Sequence, residues 1–193
     1  MATPSFLNRS FFAGLGVGII LGVGVAFLAG LAFVWMASAP GMAIRTPAFP
    51  DLDALSALGE ADPGWVMSHL EGGDVTLGDY RGQVVFLNLW ATWCAPCVTE
   101  MPNIQQLAQS LDGEEVAFLL VSNEDATTVL GFLESQQLDL PVMLSDTNVP
   151  REFRAKGIPA TYIIDREGRI VFHHVGAALW DDPASLEFIR GLL

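Results

Sequence analysis

Two cysteines, Cys94 and Cys97, are the only thiols in this chain of 193 residues. They follow an almost continuously apolar run, residues 84–90, which is typical of a strand covered on both faces, and a helix is predicted to begin at Ala95. Cysteines at positions i and i+3 across a helix start can close a disulfide with little backbone movement. The free N–H groups and the dipole of such a start stabilise a thiolate, the nucleophile of thiol-disulfide exchange. We therefore predict that Cys94 attacks a partner and that Cys97, which is less exposed, resolves the mixed disulfide.

Other uses of this cysteine pair are less well supported. A structural disulfide that closes a four-residue ring contributes only about 2 kcal/mol in the chain-entropy treatment. A zinc site would need two further ligands, and the histidines available are His69, His173 and His174. A c-type haem site requires histidine directly after the second cysteine, where this chain has Val98. The sequence thus predicts redox chemistry without a bound metal or cofactor.

The elements that position the cysteines follow from the hydrophobic pattern. Strands are predicted near residues 65–69, 75–77, 84–90, 116–122, 141–144, 160–165 and 169–175, and helices near 95–110, 126–138, 149–155 and from 183 onward. Strands that alternate with helices and end in a hairpin and a last helix indicate an α/β fold. We expect a mixed central sheet with helices on both faces.

A long apolar segment precedes this domain. Residues 11–36 contain only apolar side chains and glycine, and as a helix they would extend about 39 Å, more than a bilayer core requires. We predict a short cytoplasmic tail (1–10), a transmembrane anchor (11–36), a linker (37–61) and a redox domain (62–193). The alternative is a cleaved signal peptide ending at Ala37-Ser38-Ala39, but the apolar run is too long for a signal h-region. Both interpretations export the domain.

The composition excludes some functions. Apolar residues make up 51% of the chain and charged residues 16%, which argues against disorder. Nine basic residues against 22 acidic ones give a formal charge of −13, so a nucleic acid partner is not expected. An acidic surface of this kind favours basic partners or serves solubility.

Two motifs carry a family resemblance. Residues 90–97 read WATWCAPC and are followed by Glu100-Met101-Pro102; residues 157–161 read GIPAT and are followed by IIDREGRI at 163–170. In this order the motifs resemble those of the thioredoxin superfamily, and in particular the membrane-anchored TlpA/ResA-like thiol-disulfide oxidoreductases, including those of cytochrome c maturation. The resemblance covers the chain from about Trp65 to its end.

The resemblance implies a thioredoxin-like fold and three substrate-binding residues. It implies that Pro159 is preceded by a cis peptide bond, faces the cysteine pair and belongs to the catalytic site. The backbone of Ile158 would then pair with an extended substrate segment. Trp93 would shield the disulfide and form part of the docking surface.

Glu100 is the fourth candidate catalytic residue. Many thioredoxins have a buried aspartate at the position of Asn88, and asparagine cannot ionise. Glu100 follows Cys97 by three residues and so lies on the same side of the predicted helix. If it is partly buried, its pKa rises and it can transfer a proton near neutral pH. The alternative is an ordinary solvated helix glutamate.

Together these observations predict a single-pass protein of the bacterial inner membrane with its catalytic domain in the periplasm. It would reduce disulfides of exported proteins, apocytochrome c being one candidate, and a membrane electron donor would re-reduce it. The same chemistry could run as an oxidase or isomerase. A copper metallochaperone using Cys94, Cys97 and a histidine is a further alternative; a thiol peroxidase has less support, because no Pro-x-x-x-Thr-x-x-Cys loop is present.

Overall fold

The fold is built on one sheet of eight strands. In the computed structural model, which describes residues 44–145 and 149–193, the predicted α/β fold with a mixed central sheet is confirmed. The strands are β1 (Gly59–Glu60), β2 (Val66–His69), β3 (Asp74–Thr76), β4 (Val84–Leu89), β5 (Val116–Ser122), β6 (Val142–Leu144), β7 (Ala160–Ile164) and β8 (Arg169–Val175). The α-helices are α1 (Ala95–Ser110), α2 (Ala126–Gln136) and α3 (Pro183–Arg190), and the short helix predicted at 149–155 is a 3-10 turn, Arg151–Phe153.

The sheet order is β1-β8-β7-β4-β5-β6-β2-β3. The three strands joined through α1 and α2 (β4, β5 and β6) run parallel, and the other neighbouring pairs are antiparallel. In the centre, Leu89 at the end of β4 is paired with Ala160 at the start of β7. The chain leaving β4 and the chain entering β7 therefore lie at the same edge of the sheet.

Both faces of the central strand are covered, as its apolar run predicts. All six residues of β4 are buried. Val84 and Phe86 belong to the hydrophobic cluster that includes the inner sides of all three α-helices, and Val85 and Leu87 belong to a second cluster on the opposite face. The alternation follows from the two-residue period of a strand, and it directs Asn88, the next residue on the helix side, towards α1.

Part of the segment predicted as a linker packs against the redox domain. The compact unit begins at Ile44, whereas the prediction placed its start at residue 62. Phe49 lies with its ring centroid 4.7 Å from that of Phe172 and 4.6 Å from that of Phe188. Strand β1 pairs with β8, which extends the sheet by one strand. Isolated apolar residues among Ala, Pro and Asp carry no periodicity, so the sequence alone gives no sign of this packing.

The predicted membrane segment cannot be compared with the structure. The tail at 1–10 and the anchor at 11–36 lie outside the described residues. Within residues 44–145 and 149–193, no helix is both long and apolar enough to cross a bilayer. The anchor therefore stays a prediction from the sequence.

The packing of Phe49 gives a first prediction. Phe49→Ala should lower the free energy of unfolding by about 2 kcal/mol, roughly half the usual value for a fully buried phenylalanine, because the ring is half-buried between two aromatic neighbours. Urea unfolding of the full-length protein in a non-ionic detergent measures this change. Leu58→Ala in the same segment is the control, since Leu58 is 64% exposed. Equal midpoints for both variants would mean that residues 44–61 do not belong to the domain.

Candidate active site

The two cysteines lie at the start of α1, shortly after the end of β4, and they are bonded to each other. Their Cα atoms are 5.2 Å apart. Cys94 is the N-cap of α1, and the backbone N–H of Cys97 donates to its Sγ over 3.3 Å. Both are buried, with 5% of Cys94 and 1% of Cys97 exposed, so the expected order of exposure is observed. A thiolate at Cys94 would receive a hydrogen bond from the free N–H groups of the helix start, which lowers a thiol pKa.

The bond between Ile158 and Pro159 is cis, which confirms the prediction drawn from the resemblance. Pro159 is buried, and its carbonyl oxygen accepts a hydrogen bond from the N–H of Gly176 over 2.8 Å. Ala160, the first residue of β7, is paired with Leu89, the last residue of β4. Ile158 and Pro159 therefore lie just before β7, at the same edge of the sheet as the cysteine segment that follows β4. The proposed role of Ile158 and Pro159 in substrate binding stays a prediction.

A groove of about 630 Å³ adjoins this edge. Trp93 and Ile158 line it together with Trp90, Val121 and Phe153. Trp93 is 73% exposed, whereas Trp90 is 2% exposed and packs in the core. The groove therefore brings the two predicted substrate-binding side chains to one apolar surface, although the shielding of the disulfide by Trp93 stays a prediction.

Glu100 is fully buried, not solvated. One carboxylate oxygen, Oε1, accepts a hydrogen bond from Asn88 Nδ2 over 2.9 Å. The other, Oε2, accepts from the N–H of Ala178 over 3.0 Å and from Trp180 Nε1 over 2.8 Å. Burial raises the pKa of Glu100 from its ordinary value of 4.5 to about 7, while these three hydrogen bonds oppose the shift. The carboxyl group can therefore gain or lose a proton at neutral pH, one helical turn after Cys97.

Several residues of this network were not predicted from the sequence. Trp180 and Ala178 precede α3 and lie 80 and 78 positions from Glu100. Thr161 Oγ1 accepts the second hydrogen bond of Asn88 Nδ2, over 2.8 Å. No local motif indicates Ala178 or Trp180, because only the fold brings the segment before α3 beside α1. Thr161 belongs to the GIPAT motif, but that motif does not indicate its contact with Asn88.

Glu124 was also missed. It lies just after β5, and its carboxylate accepts hydrogen bonds from the N–H and the hydroxyl of Thr92, over 2.6 and 2.7 Å. The hydroxyl of Ser122 donates to the same carboxylate over 3.2 Å. Thr92 is two residues before Cys94, so these contacts hold the loop from which Trp93 projects.

A metal site is not apparent in the part of the chain that the structure describes, where no three His, Cys, Asp or Glu side chains come close enough to hold an ion. The two histidines of β8 have aromatic neighbours instead. His173 stacks on Tyr162 with ring centroids 4.5 Å apart, and His174 meets the ring of Trp180 edge-on at 5.9 Å.

Comparisons with known proteins identify the class to which this fold and cysteine pair belong. ResA of Geobacillus thermodenitrificans, a thiol-disulfide oxidoreductase, is 34% identical over 137 residues, which cover 70% of this chain and 78% of the relative. A crystal structure described as thiol:disulfide interchange protein DsbE, from Chlorobium tepidum, aligns with a TM-score of 0.58 at 27% identity and covers 71% of this chain and 94% of its own. A solution structure of a Bacteroides thetaiotaomicron protein described as a disulfide isomerase has a TM-score of 0.59 at 29% identity, over 72% and 93% of the two chains.

The fold is therefore thioredoxin-like, and the protein is a thiol-disulfide oxidoreductase. A family model described as AhpC/TSA family matches residues 58–173. The chain belongs to this family, and its relatives make it a TlpA/ResA-like member. The matched region begins within the segment that was predicted as a linker, one residue before β1.

The buried carboxyl group gives a second prediction. Glu100→Gln should remove the inflection near pH 7 from the pH profile of disulfide exchange and slow exchange by about a hundredfold or more, since Gln cannot accept a proton. Stopped-flow measurements of disulfide reduction across pH 5–9 test this. Glu134→Gln, which changes an exposed glutamate of α2, is the matched control.

The pH dependence of the free energy of unfolding provides an independent test of the pKa of Glu100. The folded-state pKa of Glu100, about 7, lies above its ordinary 4.5, so between these values the folded state binds more protons than the unfolded state. The Glu100 contribution to the free energy of unfolding is fully present below about pH 4.5 and is lost as the pH rises through about 7. This pH dependence of the free energy of unfolding should be absent from Glu100→Gln. If Glu100→Gln retained both the pH dependence of stability and the inflection in the exchange rate, Glu100 would be excluded as the source of the two effects.

Proposed function

We propose that this protein is a membrane-anchored reductase of disulfides in exported proteins, with its catalytic domain on the periplasmic side of the bacterial inner membrane. The observation that carries the reductive direction is the buried carboxyl group of Glu100 one turn after Cys97. When ionised, it disfavours a second negative charge on the cysteine pair. Because a destabilised thiolate makes the dithiol a stronger reductant, the equilibrium shifts towards the bonded form. The apolar run at 11–36 supports the anchor.

The proposed reaction begins with both cysteines reduced. The Cys94 thiolate attacks one sulfur of a client disulfide, the client S–S bond breaks, and one client cysteine leaves as a thiolate. The Cys97 thiol then passes its proton to the Glu100 carboxylate and attacks Cys94 Sγ, which releases the second client thiolate. Two electrons have moved to the client, which takes up two protons, and the Cys94–Cys97 disulfide seen in the structure is formed. A membrane electron donor with a dithiol returns the pair to the reduced state.

The groove supplies the place for the client. An extended segment lying against Ile158 could pair with its backbone, and the indole of Trp93 offers an exposed apolar surface beside it. Among exported proteins we propose apocytochrome c as one client, because its cysteines must be reduced before haem attachment.

The direction of transfer gives a third prediction. A redox titration of the Cys94–Cys97 pair in dithiothreitol and glutathione buffers should give a midpoint near about −270 mV, the thioredoxin end of the known range. Glu100→Gln should move the midpoint towards less negative values, because the like charge is removed. A wild-type midpoint near about −120 mV would instead establish the oxidase or isomerase direction of the same chemistry.

Covalent capture of clients gives a fourth prediction. Cys97→Ala removes the resolving thiol, so Cys94 should remain bonded to clients in cells as adducts that dithiothreitol releases. The double variant Cys94→Ser/Cys97→Ala is the control and should capture none. A catalogue of adducts without c-type apocytochromes would exclude them as clients while retaining exchange; the absence of any adduct would contradict exchange with proteins.

A further inference from the structure

The groove beside the cysteine pair has a basic rim, although the protein as a whole is strongly acidic. Lys156 is the single lysine of the chain, and both it and Arg154 line the groove and are exposed. The formal charge of the whole chain is −13, with 22 acidic residues. Among the described residues that line the groove, none is acidic. Two exposed cations, Arg154 and Lys156, therefore lie at the surface where we propose that a client binds.

Most other cationic side chains of the domain are already engaged. They bind nearby carboxylates or a carbonyl group: Arg166 with Glu115, Arg169 with Asp165, Arg190 with Glu114, and Arg81 with the carbonyl of Glu167. Arg154 donates through Nε to the carbonyl of Val149 over 3.2 Å, and its terminal nitrogens have no hydrogen-bond partner among the described residues. Neither Arg154 nor Lys156 forms an ion pair with a residue in the described ranges.

Glu152 lies between Arg151 and Arg154 in the sequence, and its carboxylate is engaged elsewhere. Glu152 accepts a hydrogen bond from the N–H of Asp62 over 2.8 Å, and it is not among the residues that line the groove. Lys156 stands two residues before Ile158, whose backbone is the proposed pairing edge for a client. A client carboxylate within two residues of the reactive cysteine is at most about 7 Å away along an extended chain, within reach of a long basic side chain.

We propose that the groove selects client segments in which apolar residues and at least one Asp or Glu flank the reactive cysteine. This inference rests on the proposed function and names its substrate class. The apolar lining accepts the hydrophobic residues, the guanidinium of Arg154 can bind a carboxylate through two parallel hydrogen bonds, and the ammonium of Lys156 acts as a point charge. Acidic clients are repelled by the protein as a whole, so the rim provides attraction where the disulfide must be presented.

The test compares three peptides that contain the same disulfide and the same apolar residues. They differ in the two residues on either side of the cysteines, which are Glu, Gln or Lys. Reduction by the pre-reduced, full-length protein in a non-ionic detergent is followed as kcat/KM at low salt. The Glu peptide should exceed the Gln peptide by about two- to fivefold for each cation engaged, with the Lys peptide slowest. The preference should shrink as salt is raised, because the pairs are exposed.

Variants locate the source of the preference. Lys156→Gln and Arg154→Gln should each lower the ratio of kcat/KM for the Glu peptide to that for the Gln peptide, and together they should bring this ratio close to one. Lys156→Arg should retain the preference. Arg151→Gln is the matched control: it removes an equal charge from the same segment at an exposed residue that does not line the groove.

The outcomes separate this inference from the proposed function. Equal rates for all three peptides, or a loss in Arg151→Gln as large as that in Lys156→Gln, would overturn charge selection by the groove while leaving reductase activity in place. No reduction of any peptide would overturn the proposed function itself. A preference that is lost only in the Arg154 and Lys156 variants would support both.

Discussion

The geometry around the cysteines depends on a carboxyl group that is kept away from water. Glu100 accepts hydrogen bonds from Asn88 on β4 and from Ala178 and Trp180 before α3. An ionised carboxylate without such donors would cost several kcal/mol to bury, so the three donors lower the cost of packing this face of α1 against the core. Cys94 is the N-cap of that same helix. The position of the nucleophile and the environment of the proton acceptor are therefore set by one packing arrangement.

The identity of residue 88 follows from the same constraint. Asn88 donates to Glu100 over 2.9 Å and to Thr161 over 2.8 Å, and both acceptors are buried. An aspartate at position 88 would place two carboxylates at hydrogen-bond distance, and one would have to stay protonated. Asparagine and glutamate at these two positions are thus mutually dependent. Many thioredoxins have a buried carboxyl group on the central strand. In this protein the buried carboxyl group belongs to Glu100 on α1, and Asn88 on the central strand β4 donates a hydrogen bond to it.

The sequence predicted the elements whose signals are local. Strand β5 has the predicted bounds, α3 begins at Pro183 with Asp182 as its cap, and β7 and β8 form the predicted hairpin. Periods, caps and turn residues act within a few positions of the chain. The contacts of residues 44–61 have no such local signal, because a two-residue strand such as β1 is defined only by its partner β8. Likewise, the motifs gave Cys94, Cys97 and Pro159, whereas Trp180, Thr161 and Glu124 act through partners that only the tertiary structure supplies.

The net charge of the chain is likewise a poor guide to which client segments the protein binds. An overall charge of −13 suggests basic partners when it is considered as a single number. At physiological ionic strength, however, exposed charges are largely screened beyond about 8 Å, so a bound segment responds mainly to the few groups that it touches. In this domain the acidic residues that pair with Arg166, Arg169 and Arg190 compensate positive charge away from the groove. The proposed selection of client segments therefore depends on where the cations lie and which of them are paired, rather than on the total charge of the chain.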